Sequence, residues 1–237
     1  MKLAEWQKQR IRDLSVLAAP EEACGFVLAS GDVERTLNVA ADPCGTFEID
    51  TQAFLLAEDA GLLAIWHSHS SLDGLSPADQ AGVIETGLPW IVYTLATDRF
   101  HTVDPADRGP LLGRSFCYGV NDCYSLVCDA LRERHGVELP AWHRGRWGEW
   151  DDPSFTVFDE QVARHCRQLG REPMFPGDVL LFGARGRTGH IGVATGPEHF
   201  LHHLAGEESR EEFYGEAWQR RTTGIWRPRQ AQPRWAA

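Results

Sequence analysis

The chain contains no apolar run of the length a membrane span requires. It has no CxxC pair among its six cysteines, and basic residues are scarce: 23 Lys and Arg stand against 34 Asp and Glu, a formal net charge of -11. Each absence excludes something. An acidic balance argues against a sequence-independent nucleic-acid binder, which needs basic surface to displace counterions from phosphates. The cysteines at 24, 44, 117, 123, 128 and 166 lack paired spacing. With no signal peptide expected, reduced thiols are a better reading than a disulfide framework. That expectation rests on the N-terminus, where Trp6, Ile11, Leu14 and Leu17 lie among charges. A secretory leader needs an uninterrupted apolar stretch, so this reads as a short amphipathic helix. There is no internal repeat and no low-complexity segment.

What is present suits a folded protein. The 237 residues are 43% hydrophobic and 10% aromatic, enough for one large core or two compact ones. The first part alternates strand and helix patterns. CGFVLAS, VERTLNVA, TFEID, LLAIWHSH, WIVYTLAT and FHTVD read as strands, and TQAFLLAED and SPADQAGVIET as helices. A Pro-, Gly- and charge-rich stretch, DPADRGPLLGR, reads as a linker. Beyond it come the helix NDCYSLVCDALRERHG, a Trp-rich loop, a charged helix DEQVARHCRQLG, and strands DVLLF, HIGVATG, FLHHL and GIWRP. The expected class is α+β, in two domains spanning 1–107 and 108–237.

Two clusters carry chemistry. In AIWHSHSSLDGLSPADQ, His67 and His69 stand at i and i+2 on a strand and project from one face. Ser76 and Asp79 fit a helix-capping box, which explains both without a metal. Capping leaves the two histidines at the end of an apolar strand unexplained. A catalytic zinc explains all of it: His67, His69 and Asp79 as ligands, a water in the fourth position, and Glu22, just before the first strand, as general base. In the second cluster, Cys123 opens a helix, where the dipole and the N–H groups favour thiolate. His190 and His202 lie on successive strands that pairing would bring together, and a Cys–His pair oriented by a third polar group is a nucleophilic arrangement. Mutual attraction would favour thiolate with imidazolium.

Both clusters resemble known families. Residues 1–105, with the upstream E-x-C-G, then H-S-H and S-x-x-D, resemble the JAB/MPN metallopeptidases. Ser70 departs from the proline usual there, and the spacer before Ser76 is one residue short. The resemblance implies Glu22 as base, His67, His69 and Asp79 on Zn2+, and Ser76 supporting a tetrahedral intermediate. Residues 109–230, through NDCYSLV, PGDVLLF, GHIGVATG and FLHHL, resemble the NlpC-type papain-like cysteine peptidases. That resemblance implies Cys123 as nucleophile, His190 as base and His202 orienting it, with Tyr118 a candidate assistant and peptidoglycan stem peptides as substrate. The fold it implies is a JAB/MPN-like sheet flanked by helices, followed by a papain-like α+β domain.

The pairing of the two resembles tail-tip assembly proteins of lambda-like phages. Those would place the chain in the virion tail or the host cytoplasm, with other tail-tip proteins as partners. The expected activity is hydrolysis of a murein peptide amide, with a zinc (iso)peptidase-like first domain. The competing expectation is a structural assembly factor with one or both sites vestigial, for which Trp142, Trp147 and Trp150, interleaved with Arg144 and Arg146, offer a partner or glycan surface.

Overall fold

The computed structural model describes residues 1–140, 157–184 and 187–230. The chain divides into two units, Met1–Arg108 and Gly109–Ala237. No helix among the described residues is long and apolar enough to cross a membrane.

The first unit is a five-stranded sheet with three helices: α1 (Glu5–Ala18), β1 (Cys24–Leu28), β2 (Val33–Thr36), α2 (Thr51–Asp59), β3 (Leu62–His69), α3 (Pro77–Thr86), β4 (Trp90–Thr94) and β5 (Arg99–Val103). The strand order is β2-β1-β3-β4-β5, and only β3 and β4 run parallel, joined by the α3 crossover. Helix α1 buries Ile11, Leu14 and Ala18 against Val27, Trp66 and Ile91. Trp6 and Leu17, expected on that apolar face, are exposed instead. TFEID forms no strand; one bridge, Asn38 to Ile49, is all the pairing it makes. The Asn38 side chain replaces the missing ladder, donating to the carbonyls of Glu22 and Thr46 and accepting from the amides of Ala40 and Glu48. Gly25 is required by sterics, since a Cβ there would meet the Glu34 carbonyl oxygen at 1.9 Å. The fully buried Trp66, its cross-strand partner on β3, donates its indole N–H to that same carbonyl at 3.0 Å.

The second unit contains α4 (Cys123–His135), α5 (Val157–His165), β6 (Cys166–Gln168), β7 (Val179–Ala184), β8 (Arg187–Ala194), β9 (His199–His202), β10 (Arg210–Phe213), α6 (Glu216–Gln219) and β11 (Thr222–Pro228). Its antiparallel sheet has the order β10-β9-β8-β7-β11-β6. Helix α4 starts on an Asp122–Ser125 capping box and ends at Gly136 in the left-handed conformation (φ 64°). Leu126, Val127, Ala130 and Leu131 pack on Ile191, Val193 and Leu201. The charged helix expected over 159–170 stops at His165. Cys166–Gln168 is a strand because it pairs with β11, a contact that overrides local propensity. Strand β10 was not expected from its sequence.

A buried ion pair ties the entry of this unit to α4. Arg114 donates to Asp129 at 2.7 Å, both almost fully buried, and also donates to the carbonyls of Gly109 and Pro110. Asp129→Ala leaves the Arg114 charge without its counterion, and breaking such a pair costs about 3–5 kcal/mol. The expected result is a markedly lower urea midpoint for the tyrosine and tryptophan signal of the full chain.

Candidate functional site

In the first unit the register of the sheet builds a cluster at one end of β3. Cys24 on β1 lies opposite His67, and the Ser68 amide donates to the Ala23 carbonyl, so the residue before them, Glu22, falls beside His69. Its carboxylate oxygen lies 3.9 Å from His69 Nε2. The Nε2 atoms of His67 and His69 are 3.1 Å apart. Asp79, in the first turn of α3, places one oxygen 3.2 Å from His67 Nε2 and the other 3.3 Å from His69 Nε2. The capping box holds that carboxylate. Ser76 N–H donates to Asp79 Oδ2 at 2.7 Å, and Asp79 N–H donates to Ser76 Oγ at 3.1 Å. Capping and convergence on the histidines therefore coexist in one side chain. The short spacer does not carry Asp79 away.

The loop after β3 is pinned on its far side. His69 Nδ1 lies 3.2 Å from the Leu72 carbonyl, which also accepts from Thr94 Oγ1 at 2.8 Å. Asp73 accepts from Arg99 and is bonded to His101, both at 2.7 Å. With its Nδ1–H donated to Leu72, neutral His69 presents a lone pair at Nε2, facing two carboxylates. A hydrogen donated by His67 Nε2, an added proton or a cation would each relieve that arrangement. Burial lowers the pKa of His69, yet Asp79 and Glu22 overcome it and leave it raised. Burial lifts the Glu22 carboxyl to about 7 against the pull of His69. It lowers His67, whose Nδ1 is buried without a partner among the described residues. Asp79 is lifted by burial but held well below the usual carboxylate range by His67 and His69.

The donor set fits a zinc ion. Bonds of about 2.0–2.1 Å in a tetrahedron separate neighbouring ligand atoms by about 3.3 Å. The Nε2 atoms of His67 and His69 stand 3.1 Å apart, close to that spacing, and Asp79 offers one oxygen to each, at 3.2 and 3.3 Å. Glu22 is farther out, and its ligand atom shares a 4.8 Å cluster with the two histidines. Cys24, on the same side of the pleat, has its thiol pushed up to about 12 by burial and remains protonated. Phe47, stacked on His67 at 4.3 Å, and Trp90, edge-on at 5.7 Å, wall the site with apolar rings; neither was legible as a site residue.

In the second unit Cys123 is the first residue of α4, and with His190 and His203 it lines a cavity of about 240 Å³. Strands β8, β9 and β10 align Gly192 with His202 and His202 with Arg210. By the two-residue alternation of side chains, His190, His202 and Glu212 then share one face. His190 Nε2 is 3.1 Å from His202 Nδ1, and His202 Nε2 is 3.0 Å from Glu212 Oε2. Glu212 also accepts from Trp218 Nε1 at 2.8 Å and Arg210 Nε at 3.2 Å. The expected histidines are thus bonded to each other, while Glu212 went unnoticed because β10 carries no apolar alternation. His203, passed over in the sequence for His202, is buried in the cavity wall with its Nε2 bonded to the Glu207 carbonyl. Phe116 lines the cavity, and Tyr118 is buried. The Trp142, Trp147 and Trp150 cluster lies outside the described residues.

Burial, with His202, His203 and Arg210 adding positive neighbours, pushes His190 down to about 3. Burial likewise lowers His203 to about 4 and lowers His202 against the opposing pull of Glu212. A resting imidazolium at His190, expected from the sequence, is therefore opposed by its surroundings. Linkage follows directly. At His190 and His203 the unfolded chain takes up protons below about pH 6.5 and the folded chain only near pH 3 to 4, so stability present above pH 6.5 is lost as pH falls through that window. The melting temperature is expected to drop between pH 7 and pH 4, with a shallower dependence in His203→Gln.

Residues 113–227 match the NlpC/P60 family, which defines the second unit as a domain of that kind. Over about three quarters or more of its length the chain is similar to two curated proteins named tail tip assembly protein K. That of Escherichia phage N15 is 32% identical over 214 residues, 87% of each chain. That of Escherichia phage lambda is 36% identical over 182 residues, 74% of this chain and 87% of the other. A solution structure of a protein from Desulfitobacterium hafniense is 20% identical, covering 43% of this chain and 80% of that one with a TM-score of 0.36. The chain belongs to the family of phage tail tip assembly protein K.

Proposed function

We propose that the second unit is a thiol peptidase that hydrolyses amide bonds in the stem peptides of peptidoglycan, carried on the tail tip of the virion. The observation that carries this reading is the shared cavity of Cys123 and His190, with His190 bonded behind to His202. The Cys123 thiol gives its proton to His190, and the sulfur attacks the carbonyl carbon of the scissile amide. The tetrahedral intermediate collapses as His190 protonates the leaving nitrogen, giving a thioester and a free amine. Water, deprotonated by His190, then releases the acid and restores the thiol. The helix N-terminus favours the developing charge on sulfur. Mass spectrometry of purified peptidoglycan incubated with the full chain tests this: new peptide termini are expected with wild type and none with Cys123→Ala.

For the first unit we propose a JAB/MPN-type zinc peptidase site. His67, His69 and Asp79 would hold one Zn2+, which when bound supplies Lewis acidity and a water ionised near neutrality. Glu22 would take and return a proton at its carboxylate, and its elevated pKa suits that exchange. Ser76 Oγ accepts from Asp79 N–H and keeps its own proton to donate toward an oxyanion. A second reading, an assembly factor that binds other tail-tip proteins without cutting, is favoured by the assembly role in the relatives' names. It predicts that Cys123→Ala virions assemble and that wild-type protein releases no peptides.

A further inference from the structure

The histidine pair in the second unit is part of a longer chain of hydrogen bonds, and one end of it is chemically fixed. An imidazole can donate or accept at either nitrogen, so His190 and His202 alone leave the direction of their 3.1 Å bond undetermined. An ionised carboxylate can only accept. Glu212 is held ionised: burial acts to raise it, but Trp218, His202 and Arg210 together bring it below its ordinary value. Both of its oxygens are engaged by donors, Oε1 by Trp218 at 2.8 Å and Oε2 by Arg210 at 3.2 Å. At 3.0 Å from Oε2, neutral His202 must therefore carry its proton on Nε2. Its Nδ1 is then an acceptor, His190 must donate from Nε2, and the lone pair of His190 is left on Nδ1.

We infer that Glu212 is a positioning residue that sets the tautomers of both histidines and so leaves His190 Nδ1 free to receive the Cys123 proton. This rests on the peptidase reading of the cavity. Trp218 has a part in it, since its ring lies 5.0 Å from that of His202 and 6.2 Å from that of His190 while its N–H secures the carboxylate. Without an acceptor at this position His202 has no reason to prefer one tautomer. The population with its proton on Nδ1 would turn the bond to His190 around and place a proton where a lone pair is needed. A wrong tautomer with intact geometry is enough to disable a base of this kind.

The experiment uses the full chain with 15N-labelled histidine. Nitrogen shifts of His190 and His202 report their tautomers in the resting protein, and site-resolved iodoacetamide alkylation of Cys123 is followed against pH. In the wild type both rings are expected as the Nε2–H form. In Glu212→Ala, His202 and His190 are expected to populate the Nδ1–H form, and alkylation at neutral pH to slow by about tenfold or more. Glu212→Gln keeps the shape and one acceptor oxygen, so a smaller slowing is expected; it carries the test should the alanine variant fail to fold. A purely structural Glu212 would lower the melting temperature and leave tautomers and alkylation profile as in the wild type, and that result overturns the inference. The tautomers are read without substrate. Shifted tautomers in a chain that cuts no peptidoglycan would therefore reject the peptidase reading separately.

Discussion

Replacing Cys123 with alanine is expected to reduce release of peptides from purified peptidoglycan by at least about a thousandfold, to the background rate. The bond-forming atom is gone, and nothing else described in the cavity can replace it. No second cysteine is among the described residues that line the cavity. His190→Ala is expected to fall nearly as far, because the same ring removes the thiol proton and returns one to the leaving amine. His202→Ala should cost less, since it orients His190 without touching substrate. Such losses do not add, so the Cys123→Ala, His190→Ala double variant should be no slower than Cys123→Ala alone. The pH dependence carries a further sign. Burial and its positive neighbours hold His190 neutral to low pH. The acid limb of kcat/KM is accordingly expected below the ordinary histidine value of about 6.5, as a property of the coupled pair. Rates measured from pH 4 to pH 8 on a soluble murein peptide check this. An acid limb at or above pH 6.5 contradicts it.

One equivalent of zinc per chain is expected after dialysis against trace metal, and His69→Ala is expected to weaken it by more than about 100-fold. Loss of an outer-shell partner alone costs 10–100-fold, and loss of a ligand exceeds that. His67→Ala should behave alike. Glu22→Gln separates binding from chemistry: with Glu22 at 3.9 Å from His69, farther than either Asp79 oxygen is from its histidine, the variant should keep its zinc while losing any isopeptidase activity. Ser76→Ala should cost about 1 kcal/mol of stability through the lost cap and displace Asp79, with a modest fall in affinity. Inductively coupled plasma mass spectrometry on each variant provides the stoichiometry. Full zinc retained by His69→Ala would remove that residue from the ligand set.

The elements that matter at both sites were legible where pattern and chemistry coincide. The alternation and length of LLAIWHSH place His67 and His69 on one face of a strand whatever surrounds it, and Ser76-Pro77 starts a helix by capping alone. Cys123 follows an Asp122 cap for the same local reason. TFEID looked like a strand, but the Asn38 side chain takes its Thr46 carbonyl and its Glu48 amide. Cys166–Gln168 looked helical and was taken by β11.

The amino-acid sequence by itself determined which residue types stand at helix starts and strand ends, because capping and the two-residue alternation act over a few neighbouring positions. Only the tertiary structure decided which of these side chains meet. Glu22 reaches His69 through the β1–β3 register, and Asp79 meets the histidines through the α3 crossover. Glu212 stands behind His202 because β9 and β10 pair with Glu212 opposite Phe200, two residues from the histidine. A register is set by the packing of whole strands. REEF, considered alone, gives no sign that its carboxylate orients a base on another strand.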